Sequence, residues 1–310
     1  MGFWDKKKIL VTGGHGFLGK HLTGMLKNDR GVLTENIKVP DEKDCDLRVW
    51  ENCERAVKDI DIVIHLAAKV GGIGYNREHP GELFFDNAMI CIQMMEAARL
   101  AGVKKYTAIG TVCAYPKFAK VPFKEKEIWE GYPEETNAPY GIAKKTQLVQ
   151  SQSYRDQYGF NSIFLLPVNL YGPGDNFNPN SSHVIPALIK KFVDAVNANS
   201  PKVEVWGTGE ASREFLYVED AARGIIMATE GYNKSDAINL GAGFEIKIKE
   251  LVNIIAPLAG FKGEIVWDTT KPDGQPRRML DVSMAEKEFG FKAEVEFNEG
   301  LKRTVEWYRK

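Results

Sequence analysis

The chain has 310 residues, 41 Lys and Arg against 42 Asp and Glu, a net charge of −1 and 44% hydrophobic residues. This balance provides no basic face for nucleic acid or an anionic membrane, so an anionic substrate must be met by a local group of Arg and Lys. No apolar run approaches the roughly 20 residues of a membrane span, residues 1–11 lack a secretory pattern, and the four cysteines at 45, 53, 91 and 113 lack metal-ligand spacing; a cytoplasmic protein with free thiols and no metal is expected.

Strand and helix signals alternate through the first half. An apolar strand at 7–12 leads into glycines and a helix at 17–27, followed by a strand at 36–39, a helix at 49–57 and a buried strand at 60–66. A long helix at 84–101, a strand at 105–109, a second long helix at 140–158 and a strand at 162–167 complete the series. Strands separated by helices pair in parallel through right-handed crossovers, so the expected fold class is α/β, a doubly wound parallel (Rossmann-type) sheet. Gly, Pro and Asn then concentrate over 169–179, a loop signal, and helices are expected at 185–196, 248–258 and 298–308 among short strands. Residues 1–168, with about 203–235, should form a dinucleotide-binding domain, and 169–202 with 236–310 a smaller α/β substrate-binding domain.

Directly after the first strand stands Gly13-Gly14-His15-Gly16-Phe17-Leu18-Gly19, opening a helix. Residues without Cβ let backbone amides approach a pyrophosphate, which then sits at the positive helix N-terminus. For the adenosine ribose, a carboxylate favours NAD and a cation the 2′-phosphate of NADP. Asp41, Glu42 and Lys43 offer both signs and leave that choice open, while Asp46 could cap the adenine pocket.

Tyr140 and Lys144 stand at i and i+4 on one helix face. A nearby ammonium favours the phenolate, which would lower the tyrosine pKa and let it exchange a proton with a carbonyl or alcohol oxygen. Upstream, Gly110-Thr111-Val112-Cys113 follows a strand, and the Thr111 hydroxyl could hydrogen-bond the same oxygen. Together these features resemble the extended short-chain dehydrogenase/reductase superfamily, with Thr111, Tyr140 and Lys144 as its Ser/Thr–Tyr–Lys set. Most members carry Ser where this chain has Thr111.

Longer segments resemble one branch, the GDP-L-fucose synthases (GDP-4-keto-6-deoxymannose 3,5-epimerase/4-reductases). They include His65-Leu66-Ala67-Ala68-Lys69-Val70-Gly71-Gly72, Cys113-Ala114-Tyr115-Pro116-Lys117 and Asn169-Leu170-Tyr171-Gly172-Pro173-Gly174-Asp175-Asn176-Phe177. Ser182-His183-Val184-Ile185-Pro186-Ala187, Val205-Trp206-Gly207, Arg213-Glu214-Phe215 and Lys271-Pro272-Asp273-Gly274-Gln275-Pro276-Arg277-Arg278 extend the likeness over nearly the whole chain.

The resemblance implies Cys113 as base and His183 as acid for epimerisation beside a 4-ketone, with Tyr140, Thr111 and Lys144 serving reduction. It implies NADP(H), with NAD(H) as the alternative that Asp41-Glu42 favours. The cofactor would meet Gly13, Gly14, His15, Gly16, Phe17 and Leu18 of the turn, then Asp41, Lys43, Asp46, Leu47, Leu66, Ala67 and Ala68. Asn87, Tyr140, Lys144, Pro167, Asn169, Leu170 and His183 complete that set, Asn87 also organising backbone near the lysine. A GDP-sugar would meet Lys69, Val70, Asn169, Val184, Lys191, Trp206, Arg213 and Lys271. Lys190 and Lys191 read equally as phosphate cations or as a solvated helix face, and Asp220 reads as structural. A redox-neutral 3,5-epimerase holding NAD+ and a simple 4-ketoreductase are the competing readings. A homodimer is implied through the two long helices, with Ile90, Met94, Met95, Leu148 and Tyr154 supplying apolar positions, some of which must also pack on the sheet.

Overall fold

The chain is described here in a computed structural model that covers residues 2–179, 181–271 and 273–310, so Pro272 of the last quoted segment lies outside the described residues. The first half runs β1 (Ile9–Thr12), α1 (Phe17–Asn28), β2 (Ile37–Lys38), α2 (Trp50–Val57), β3 (Ile62–His65), α3 (Ile73–Glu78), α4 (Pro80–Leu100), β4 (Lys105–Ile109), α5 (Ala138–Tyr158) and β5 (Ser162–Pro167). The second half runs β6 (Asn169–Tyr171), α6 (Val184–Asn197), β7 (Lys202–Trp206), β8 (Ser212–Arg213), β9 (Phe215–Tyr217), α7 (Val218–Gly231), β10 (Ala237–Leu240), β11 (Ile246–Lys247), α8 (Ile248–Leu258), β12 (Glu264–Asp268), α9 (Ser283–Phe289) and α10 (Phe297–Arg309).

Every residue of β1, β3, β4, β5 and β10 is buried, because helices cover both faces of a parallel sheet and leave no polar side. The six-stranded sheet has the order β10-β5-β4-β3-β1-β2, parallel throughout. Strand addition changes direction between β1 and β3, which opens a crevice at their carboxyl ends. Local signals set the long helices: α4 begins with Pro80, whose missing N–H is no loss in a first turn, and α5 ends at Gly159, which takes the left-handed φ of 64°.

Two apolar cores form. The larger lies about the parallel sheet, and the smaller gathers α6, α8 and α10 with β7. Several segments cross the boundary expected from the sequence, among them β9, whose Phe215 and Tyr217 enter the small core. β10 joins the large sheet beside β5, and Leu280, Ala285 and Phe291 enter the large core. β7, expected with the dinucleotide domain, pairs with β12 and buries Val203 and Val205 in the small core. Helix α7, inside the 203–235 segment expected with the dinucleotide domain, packs on α1 in the large unit. Asp220 in its first turn accepts from the Glu294 and Val295 amides and pairs with Arg223, tying α7 to the segment before α10.

Helices α4 and α5 pack side by side. Met94, Met95 and Leu148 belong to the large core, Ile90 and Tyr154 are half-buried, and the large apolar side chains left exposed on the pair are Phe84, Phe85, Ile92, Leu100, Val149 and Tyr158. Met94, Met95 and Leu148 thus pack inward, as some of the five positions had to, while Ile90 and Tyr154 keep partial exposure. With mixed apolar residues on all sides of α4, periodicity does not distinguish the sheet-facing stripe from the outer one. Among the described residues no helix is long and apolar enough to cross a membrane.

Candidate active site

The glycine turn sits at the carboxyl end of β1. Gly13 has φ +70°, and a Cβ there would stand 2.9 Å from the Ala67 nitrogen. At Gly14 it would meet Val39 Cγ1 at 2.6 Å, and at Gly19 the Gly13 carbonyl at 2.2 Å, so α1 and the strand ends close around bare backbone. Gly16 is the N-cap of α1, whose first turn carries no acidic side chain, leaving the positive end of the helix open to an anion. Thr12 Oγ1 lies 2.8 Å from His65 Nδ1 and accepts from the Ala67 amide at 3.3 Å, which fixes the β3 exit (Leu66, Ala67 and Ala68) against the turn. A turn of close-packed bare backbone beside a helix N-terminus with no side-chain cap fits a dinucleotide pyrophosphate.

Beyond β4, Thr111 N-caps a short 3-10 turn, its Oγ1 accepting from the Cys113 amide at 3.1 Å. That bond occupies the oxygen and leaves the hydroxyl proton to donate elsewhere. The start of α5 lies directly on this loop, where a Cβ at Gly141 would stand 2.5 Å from the Cys113 carbonyl oxygen. Tyr140 is thereby held beside the loop. Burial, and then the neighbouring Cys113 and Cys91 sulfurs, push its phenol above the ordinary tyrosine range, so it keeps its proton. The expected lowering by Lys144 is not found: that ammonium is buried and donates to Cys91 Sγ at 3.6 Å. His183 is the N-cap of α6; the residue as a whole is exposed, yet desolvation by the surrounding protein holds its imidazole below the usual value. Its loop docks on the segment after β3 through the Gly72 amide, which donates to the Ser181 carbonyl at 3.1 Å.

The smaller unit brings cations to the same region. Arg213 donates to the carbonyls of Ser212 and Asp273 at 2.7 and 3.2 Å. Burial, then the charge of Arg278, lowers its pKa to about 10, while Cys113 acts in the opposite direction. Arg278 Nη1 donates to Cys113 Sγ at 3.6 Å. Trp206 is 62% exposed, with the ammonium groups of Lys191 and Lys271 at 5.3 and 5.6 Å from its ring centroid, a flat apolar surface flanked by positive charge.

Other expected contacts have different partners. The Lys69 ammonium is neutralised by Glu82 and Asp86, and Lys190 by Asp194. Asn87 receives the Lys69 amide and donates to the Lys69 and Leu83 carbonyls, so both its amide protons serve the backbone. Asp46 is clamped by Arg48, which also reaches Asp86, and Asp41 accepts from the Lys43 amide at 2.9 Å. Leu47 and Pro167 are buried, and Phe17 packs edge-on against His21. Asn169 donates to the Glu214 carbonyl at 3.1 Å, Leu170 lies against the large core, Val184 against the small one, and Val70 is exposed. Arg278 and its partner Gln275 escaped the sequence reading. The pair Arg277-Arg278 was visible, but which guanidinium turns inward was not; Arg277 turns outward to Glu245.

Comparison with known proteins agrees with this geometry. The NAD dependent epimerase/dehydratase family matches residues 9–241. A probable GDP-L-fucose synthase 1 of Oryza sativa subsp. japonica is 39% identical over 304 residues, covering 97% of this chain and 92% of the relative. Among solved structures, a GDP-6-OMe-4-keto-L-xylo-heptose reductase from C. jejuni superposes with a TM-score of 0.93 at 27% identity, covering 100% of this chain and 99% of that one. A GDP-L-fucose synthetase from Naegleria fowleri bound to NADP gives 0.88 at 28% identity, covering 100% and 96%. A parallel sheet with a glycine cradle, the Thr111–Cys113 loop seated on the Tyr140 helix, and full-length likeness to these proteins place the chain in the NAD dependent epimerase/dehydratase family, as an extended short-chain dehydrogenase/reductase enzyme of the GDP-L-fucose synthase group.

Proposed function

We propose that the protein takes GDP-4-keto-6-deoxymannose, inverts C3 and C5 and reduces C4 with NADPH. The observation that carries this reading is the junction of the Thr111–Cys113 loop with Tyr140 and Gly141, under the guanidiniums of Arg213 and Arg278. Thr111 and protonated Tyr140 donate to the 4-keto oxygen, which acidifies the hydrogens at C3 and C5. Cys113 removes them in turn, and His183 returns a proton on the opposite face. The cofactor, held by the Gly13–Gly19 turn, supplies hydride for C4 when bound, and Tyr140 protonates the resulting alkoxide. Arg213, Lys191 and Lys271 receive the diphosphate, with Trp206 a surface for the base.

NADPH is favoured by the likeness to the NADP-bound synthetase of Naegleria fowleri and by Lys43 near the end of β2. The exposed Phe84, Phe85, Ile92 and Val149 support a homodimer through α4 and α5. Four unpaired thiols suit the reducing cytoplasm. Likeness to the C. jejuni heptose reductase favours a second reading, a simple 4-ketoreductase. Incubation with GDP-4-keto-6-deoxymannose in deuterated water, with and without NADPH, separates the two. Deuterium at C3 and C5 that is lost in Cys113→Ser is expected; reduction without any exchange in the wild type would leave only the 4-ketoreductase.

A further inference from the structure

Near neutral pH a thiol of ordinary acidity is mostly protonated, whereas a base must be the thiolate. The surroundings of Cys113 address this. Arg278 Nη1 donates to Cys113 Sγ at 3.6 Å, and its Nε and Nη2 both donate to Gln275 Oε1, at 3.1 and 2.9 Å. Gln275 Nε2 in turn donates to the Lys117 carbonyl at 2.8 Å, four residues beyond Cys113. Arg278 and Gln275 are only 8% and 7% exposed. A guanidinium so buried usually has a carboxylate partner. Among the described residues, the one ionisable group hydrogen-bonded to Arg278 is Cys113.

We propose that Arg278 is the counter-cation of a Cys113 thiolate, a positioning residue locked by Gln275 so that the sulfur is deprotonated before substrate arrives. This deepens the reading of Cys113 as the base and rests on it for its purpose. Of the other groups facing the sulfur, Arg213 adds positive charge, tempered by Asp273 and Glu134, and Tyr140 keeps its proton and so brings no competing anion. Gln275 is the economical choice of clamp, since it fixes the guanidinium without neutralising it, as Glu would.

Mass-resolved alkylation of Cys113 by iodoacetamide, followed from pH 5 to 9 on the full chain, tests this without any substrate. Wild-type labelling is expected to rise with a midpoint clearly below the ordinary thiol value of about 8.5. Arg278→Met should raise that midpoint by about one pH unit, slowing labelling near pH 7 about tenfold, and Arg278→Lys should restore most of it. The buried Cys45, Cys53 and Cys91 report on folding, since they react only if the chain opens. If Arg278→Met opens the chain, Gln275→Ala decides, because loosening the clamp should slow Cys113 labelling about threefold. A wild-type midpoint at or above 8.5, or one unmoved in folded Arg278→Met or Gln275→Ala, overturns the proposal. A depressed midpoint in an enzyme that exchanges no deuterium would leave Arg278 in this role and remove the epimerase reading instead.

Discussion

Gly141 lies between two parts of the proposed site, and Gly141→Ala measures how closely they must meet. The added Cβ would stand 2.5 Å from the Cys113 carbonyl oxygen, 3.1 Å from its carbon and 3.2 Å from Ala114 Cα. All three are backbone atoms, so no side chain can rotate aside. Reaching the 3.4 Å of ordinary contact requires α5 and the Thr111–Cys113 loop to separate by about 0.9 Å. Helix propensity favours Ala by about 0.5–1 kcal/mol, while overpacking costs about 1–3 kcal/mol. The net loss of stability is therefore about 0–2.5 kcal/mol, a few degrees in Tm for a chain of this size. Turnover is more sensitive, because about 1 Å of misplacement between reacting groups costs up to ~100-fold, or ~2.7 kcal/mol. NADPH consumption with the 4-keto substrate should fall by one to two orders of magnitude, with dinucleotide affinity little changed and the calorimetric transition lowered by no more than a few degrees. Gly24→Ala is the control, since a Cβ there meets nothing within 4 Å, and it should be neutral or slightly stabilising. A folded Gly141→Ala enzyme with kcat within threefold of wild type would refute the argument.

Tyr140→Phe should abolish reduction while leaving NADPH binding nearly intact, since it removes the proton donor but not the glycine cradle; a similar rate in the variant would displace the tyrosine from its role. If Asp41, Glu42 and Lys43 together face the ribose as proposed, affinities for NADPH and NADH should differ by less than about a hundredfold, ~2.7 kcal/mol, and titration of Lys43→Ala should show selective weakening of NADPH. Phe85→Glu places a charge on a side chain that is 57% exposed, so sedimentation should show monomer for the variant against the dimer proposed for the wild type, with little change in melting temperature.

Alternating apolar strands and helices, with glycines at 13, 16 and 19, made the parallel sheet and its phosphate cradle legible from the sequence, because both follow from local periodicity and from residues without Cβ. The spacing of Tyr140 and Lys144 was equally plain; the direction of the lysine was not. Only the packed structure turns Lys144 toward Cys91, neutralises Lys69 with two carboxylates on α4, and selects Met94 and Met95 for the sheet rather than the surface. The same limit hid Arg278, which reaches Cys113 across 165 residues while its neighbour Arg277 turns to Glu245. Motif spacing determines which groups can stand on one element. Which of several like charges meets a given partner depends on long-range packing, on which acids are already taken, and on where burial makes an unpaired charge costly, and those are properties of the folded chain.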